Sequence, residues 1–117
     1  MKTNSLPEEA DALLARAQAI ATVLSEKREE LGISTEVEAL LRASIEAATF
    51  AIDRYVAVVA GAKKSPVAMG YVAEAKAGCN RSIRQLRRRV NRAVAELSRL
   101  MGQKEARKAA RYMSRSA

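Results

Sequence analysis

Apolar residues recur along the chain in alternating steps of four and three, the spacing of one face of an α-helix. The first run opens at Ser5, which stands at capping-box spacing from Glu8, and it stops before Gly32 and Ile33, a pair typical of a left-handed helix end. The pattern predicts one helix up to Leu31. Its apolar seam consists of Leu6, Ala10, Leu13, Ala17, Ile20, Leu24 and Leu31, with Lys27 as the one exception.

A second helix is predicted from Ser34 and Thr35 onward, where Thr35 and Glu38 again have capping-box spacing. Several further apolar residues fall outside its seam, so we expect neighbours to contact this helix on more than one side. The seam comprises Leu41, Ile45, Ala48, Ile52, Tyr55, Val59 and Ala62, and the additional apolar residues are Val37, Leu40, Phe50, Val56 and Val58.

A third helix is predicted to open with Ser65 as N-cap and Pro66 at its first position. Gly78 is a point at which this helix either continues, kinks or splits, and Gly102 is a candidate end. Residues 103–117 are expected to form a short fourth helix or an extension that orders on contact. The third seam comprises Met69, Val72, Cys79, Ile83, Leu86, Val90, Ala93, Leu97 and Leu100, with Lys76 as its exception.

The connections between these helices are short, which favours antiparallel neighbours. We therefore predict an all-α fold, an antiparallel up-down bundle of three long helices plus a short basic C-terminal helix or tail. Residues 1–102 form the predicted helical bundle domain and residues 103–117 the basic helix or tail. Because three such helices bury little on their own, we expect a homo-oligomer, most simply a two-fold dimer.

The composition argues against an enzyme. The 117 residues include no histidine and one cysteine, so a histidine base, a histidine metal site and an internal disulfide are excluded. Glu46 and Asp53 are interpreted as solvated helix residues and Cys79 as a buried, inert thiol. We predict no catalytic residue, no metal and no cofactor. The longest apolar run, Tyr55–Ala62, is too short to cross a bilayer, and the N-terminus lacks the pattern of a secretory signal, so a cytoplasmic protein is expected.

The net charge of +8 is concentrated in the last part of the chain. Residues 65–117 hold thirteen basic and three acidic side chains, whereas the rest of the chain is slightly acidic. At 100° per residue, five arginines of the third helix project opposite its apolar seam. We call Arg81, Arg84, Arg88, Arg92 and Arg99 the arginine ridge, and Lys104, Arg107, Lys108, Arg111 and Arg115 the tail cations.

These ten side chains are the predicted nucleic-acid-binding residues, because guanidinium groups bind phosphates in pairs of parallel hydrogen bonds and stay charged. Binding to the backbone of RNA or DNA, without sequence reading, is expected, since few aromatic residues accompany them. The alternative function is an interaction module that forms a helical oligomer and docks an acidic protein.

A purely internal interpretation is that glutamates of the same chain neutralise the ridge; these are Glu26, Glu29, Glu30, Glu36 and Glu38. An anionic membrane surface is a weaker possibility, because the chain offers no Trp anchor and its apolar faces are needed for packing.

Overall fold

The computed structural model describes residues 5–63 and 69–116, with side chains for residues 8–63, 70–105 and 107–111. Four helices cover the described part, and it contains no strand. They are α1 (Ser5–Glu26), α2 (Arg28–Leu31), α3 (Thr35–Ala62) and α4 (Met69–Ser116). The all-helical prediction is confirmed for these residues. The predicted caps at Ser5 and at Ser65 with Pro66 lie outside the described side chains.

The first predicted helix is bent into α1 and α2 at Lys27. Backbone hydrogen bonds continue through the bend, with Lys27 N–H donating to Val23 O at 2.9 Å and Leu31 N–H to Lys27 O at 2.9 Å. Lys27 was the one charged residue in the seam, and it is half-buried while Leu31 is buried. The interruption thus falls at the one charged seam position, and the Lys27 side chain stays partly accessible to solvent.

The turn between α2 and α3 follows the sequence pattern closely. Gly32 has φ +69°, and the N–H groups of Gly32 and Ile33 both donate to the carbonyl oxygen of Arg28. Ile33 is buried, which completes the hydrophobic contact of such a helix end. The N-cap of α3 is Ser34, whose Oγ accepts from the Glu36 N–H at 3.1 Å. The capping box predicted for Thr35 and Glu38 is wrong, because Glu38 instead pairs with arginines.

α4 is a single helix of 48 residues that passes through both Gly78 and Gly102. At 1.5 Å per residue it is about 72 Å long, and the molecule measures 77 × 30 × 17 Å. Residues 103–116 therefore continue the third predicted helix and do not make a separate fourth one. The division of the chain into domains at residue 102 stays a prediction.

The helices share one hydrophobic core, in which α3 and α4 have the largest mutual contact and α1 packs on both. Seam residues from every helix enter it, and Leu24, Leu41 and Leu86 are fully buried. The core ends at Leu100, because every described side chain beyond it is exposed except that of Lys104, which is half-buried. The last third of α4 thus extends past the packed part of the molecule. Below, residues 101–116 are called the α4 extension.

Candidate nucleic-acid interface

The arginine ridge lies on the face of α4 that points away from the core. All five of its side chains are exposed, and from Arg81 to Arg99 they extend along about 27 Å of helix. An uninterrupted helix is what holds them in this row, because a break between Arg81 and Arg99 would change their relative directions. The described residues therefore present a row of guanidinium groups on one side of a rod.

Few acceptors of this chain reach the ridge. Arg99 pairs with Glu96, at 2.8 Å between Nη2 and Oε2, and Arg88 Nη1 donates to Gln85 Oε1 at 3.3 Å. Among the described residues, Arg81, Arg84, Arg88 and Arg92 form no ion pair. Glu96 is thus the one carboxylate that neutralises a ridge arginine within the described part.

Two of the five glutamates proposed as internal partners of the ridge, Glu30 and Glu38, pair with other cations. Glu38, with 10% of its side chain exposed, bridges Arg28 on α2 and Arg42 on α3. Arg42 also donates to Ala21 O on α1 at 3.4 Å, so this cluster ties three helices together at the turn. Glu30 lies 3.9 Å from Lys27 and pairs with Lys104. In the described part of the chain, none of the five glutamates contacts a ridge arginine, so internal neutralisation of the ridge is not observed.

The tail cations lie on a different face of α4 from the ridge. Continuing the four-three seam beyond Leu97 and Leu100 leads to Lys104, Arg107 and Arg111. Cations therefore occupy the face that in the bundle is aliphatic and buried. At 100° per residue Lys104, Arg107, Lys108 and Arg111 point on average about 140° away from the ridge. The two sets do not form one continuous track along the helix.

The structure gives the tail cations unequal surroundings. Lys104 is half-buried and paired with Glu30, which fixes the start of the extension against the turn. Arg107, Lys108 and Arg111 are exposed and have no carboxylate partner among the described residues. The Arg115 side chain lies outside the described side chains.

Phe50, an exposed aromatic residue of α3, lies near the end of the ridge. The sequence pattern did not connect it with the ridge. Phe50 on α3 is 74% exposed and lines a groove of about 310 Å³ between α3 and α4. Arg54 and Glu74 flank this groove, and Arg81 reaches it from the end of the ridge. Nothing local to Phe50 indicates this neighbourhood, because residues about thirty positions apart meet only when α3 packs on α4.

The other candidate groups of the chain are dispersed or buried. Glu46 and Asp53 are exposed. Cys79 is 1% exposed, as expected for a core thiol, and burial raises the pKa of that thiol. No cluster of three potential metal ligands occurs among the described residues. Arg89 beside the ridge is half-buried, and its Nε has no hydrogen-bond acceptor in the described part of the chain.

Comparison with known proteins adds no family to this description. No family model matches the chain, and neither the curated proteins nor the solved structures include a significant match. Of the described helices, none is both long and apolar enough to cross a membrane.

Proposed function

We propose that this protein is a small, non-enzymatic nucleic-acid-binding protein whose arginine ridge contacts the phosphate backbone. The supporting observation is the row of exposed ridge arginines, four of which have no carboxylate partner among the described residues. Like charges one turn apart, such as Arg84 with Arg88, cost a few tenths of a kcal/mol per pair on a helix. A row of this kind is favourable when an external anion compensates it.

Nucleic acid fits the ridge better than a single small anion does. The cations repeat about once per turn over about 27 Å, which suits a series of phosphates. Arginine also offers the planar fork that binds phosphate oxygens in pairs. Because these contacts go to the backbone, we propose binding with little dependence on base sequence.

The test compares two triple variants with the same change in net charge. In the first, Arg84, Arg88 and Arg92 are replaced by glutamine; in the second, Arg16, Lys63 and Lys76, which are exposed away from the ridge, are replaced by glutamine. Fluorescence anisotropy with a labelled duplex is measured over a range of salt concentrations. Circular dichroism shows whether both variants remain folded.

The ridge variant is expected to lower the slope of log affinity against log salt by about 2.7, since each phosphate contact contributes about 0.9. At 0.1 M salt this corresponds to roughly 500-fold weaker binding. The control variant is expected to change the salt slope and the affinity at 0.1 M salt much less. Equal losses in the two variants would mean that net charge alone governs binding, and the ridge assignment would be wrong.

We also propose the up-down arrangement in which α1 and α4 run parallel and α3 runs opposite to both. Two contacts support it: residues 47–54 of α3 line a groove with residues 74–82 of α4, and Arg42 reaches Ala21. Paired spin labels at residues 36 and 95 should give a short distance, and labels at residues 36 and 73 a long one. The reverse order of the two distances would contradict this arrangement.

The second candidate function is a protein-interaction module, which the exposed Phe50 and Val56 on α3 favour. In that case a two-fold dimer, or a complex with an acidic protein, covers part of α3. Sedimentation at micromolar concentration tests the dimer, and a monomeric mass would argue against it. A cytoplasmic location stays a prediction.

A further inference from the structure

We infer that the tail cations form a second nucleic-acid contact surface, separate from the ridge, so that one molecule bridges two nucleic-acid segments. This inference rests on the proposed function of the ridge. It adds an activity, because binding through a single track would only coat a nucleic acid, whereas two surfaces on one rigid helix join two of them.

The helical register separates the two surfaces. Lys104, Arg107 and Arg111 continue the seam of Leu97 and Leu100, so they project on the side that faces the core within the bundle. The ridge projects on the opposite side, about 140° away. Since α4 continues through Gly102 without a break, this angle is built into one helix.

One duplex does not reach both surfaces. An α-helix with its side chains is about 10–12 Å wide, whereas duplex DNA stays stiff over about 50 nm. A duplex lying along the ridge would have to curl around this narrow rod to meet the tail cations. Two separate duplexes, one on each face, satisfy both sets of charges without any bending.

The extension is free to receive the second duplex. Arg107, Lys108 and Arg111 are exposed, and no carboxylate among the described residues pairs with them. Lys104 pairs with Glu30 at the beginning of the extension, and the direction of the extension follows from its continuity with the packed part of α4. Apolar packing on this face is unfavourable, because it would bury three cations.

The test uses two short duplexes, one labelled with a donor dye and one with an acceptor, mixed with the full-length protein. Wild-type protein is expected to produce energy transfer between them at protein concentrations below the duplex concentration. A variant with Arg107, Lys108 and Arg111 replaced by glutamine should still bind one duplex through the ridge but lose energy transfer. The ridge triple variant should lose energy transfer as well.

A second variant keeps every charge and changes only the register. Insertion of two alanines after Lys104 keeps the pair with Glu30, rotates the rest of the extension by about 200° and brings Arg107, Lys108 and Arg111 onto the ridge side. This variant should bind a single duplex with a steeper salt dependence than wild type and should bridge poorly. Circular dichroism confirms that the extension remains helical.

The outcomes separate the inference from the function on which it rests. Single-duplex binding without energy transfer in the wild type would overturn the bridging surface and leave the ridge proposal intact. Energy transfer that survives in the tail variant would also overturn it, because a dimer joined through two ridges would then explain bridging. Absence of any duplex binding would refute the proposed function itself.

Discussion

The continuity of α4 at Gly78 determines how the ridge, which begins at Arg81, is oriented relative to the first turns of that helix, and a single added methyl group tests it. Glycine inside a helix is about 1 kcal/mol less favourable than alanine. A Cβ added at Gly78 would meet only the Arg81 Nη2 atom, at 3.6 Å, which is an ordinary contact. Gly78→Ala should therefore raise the free energy of unfolding by nearly the full 1 kcal/mol. With an unfolding entropy of about 0.25 kcal/mol/K for a chain of this length, Tm should rise by about 4 °C.

Gly32→Ala is the matched control, and it should lower the free energy of unfolding. A Cβ at Gly32 would meet nothing within 4 Å, yet φ is +69°, a conformation that costs an alanine about 1–2 kcal/mol. Urea and thermal unfolding of the two variants should thus move Tm in opposite directions from wild type. An unchanged or lower Tm in Gly78→Ala would mean that α4 is not a regular helix at that point, and the orientation of the ridge relative to the helix before Gly78 would no longer follow.

Two further predictions concern buried polar groups in the bundle. Glu38→Gln should lower the free energy of unfolding by about 2 kcal/mol, because it removes the charge that pairs with two arginines. The control Glu46→Gln, at an exposed residue, should change it by less than about 0.5 kcal/mol. Equal urea midpoints for the two variants would contradict this prediction. Because burial raises the pKa of Cys79, the folded protein keeps the thiol proton after the unfolded chain has lost it. Stability should therefore fall as pH rises above about 8.5, the ordinary thiol value. The Cys79→Ala variant should lack this part of the decline in thermal unfolding, and parallel pH curves would contradict the prediction.

The two helix-breaking candidates Gly32 and Gly102 show what the local pattern predicts well and what it does not. Both glycines follow a long apolar seam, and only Gly32 ends a helix. The residue after Gly32 is Ile33, which the core buries, whereas Gln103 after Gly102 is exposed. Glycine by itself destabilises a helix by only about 1 kcal/mol, which is not enough to end it. A helix ends at a glycine when the residue that follows buries an apolar side chain, as Ile33 does after Gly32.

The candidate site was predictable to different degrees in its two parts. The direction of the ridge follows from helical periodicity alone, because it lies on the polar face of one strongly patterned helix. The neighbourhood of Phe50 depends on how α3 and α4 pack, and no spacing along the chain encodes it. The ion pair between Glu38 and Arg28 was not predicted, for a similar reason. Arg28 lies in a different helix, whereas the capping-box pattern relates only residues three positions apart.

The change in α4 from aliphatic to cationic seam residues at Leu100 explains why the bundle stops where it does. Up to that residue, burying the seam removes apolar surface from water. From Lys104 onward, the same face would place Lys104, Arg107 and Arg111 against any helix that packed on it, and unpaired buried charges cost several kcal/mol each. Only a partner that supplies anions satisfies this face, as Glu30 already does for Lys104. The surface that ends the hydrophobic core is for that reason also the one best suited to a second phosphate backbone.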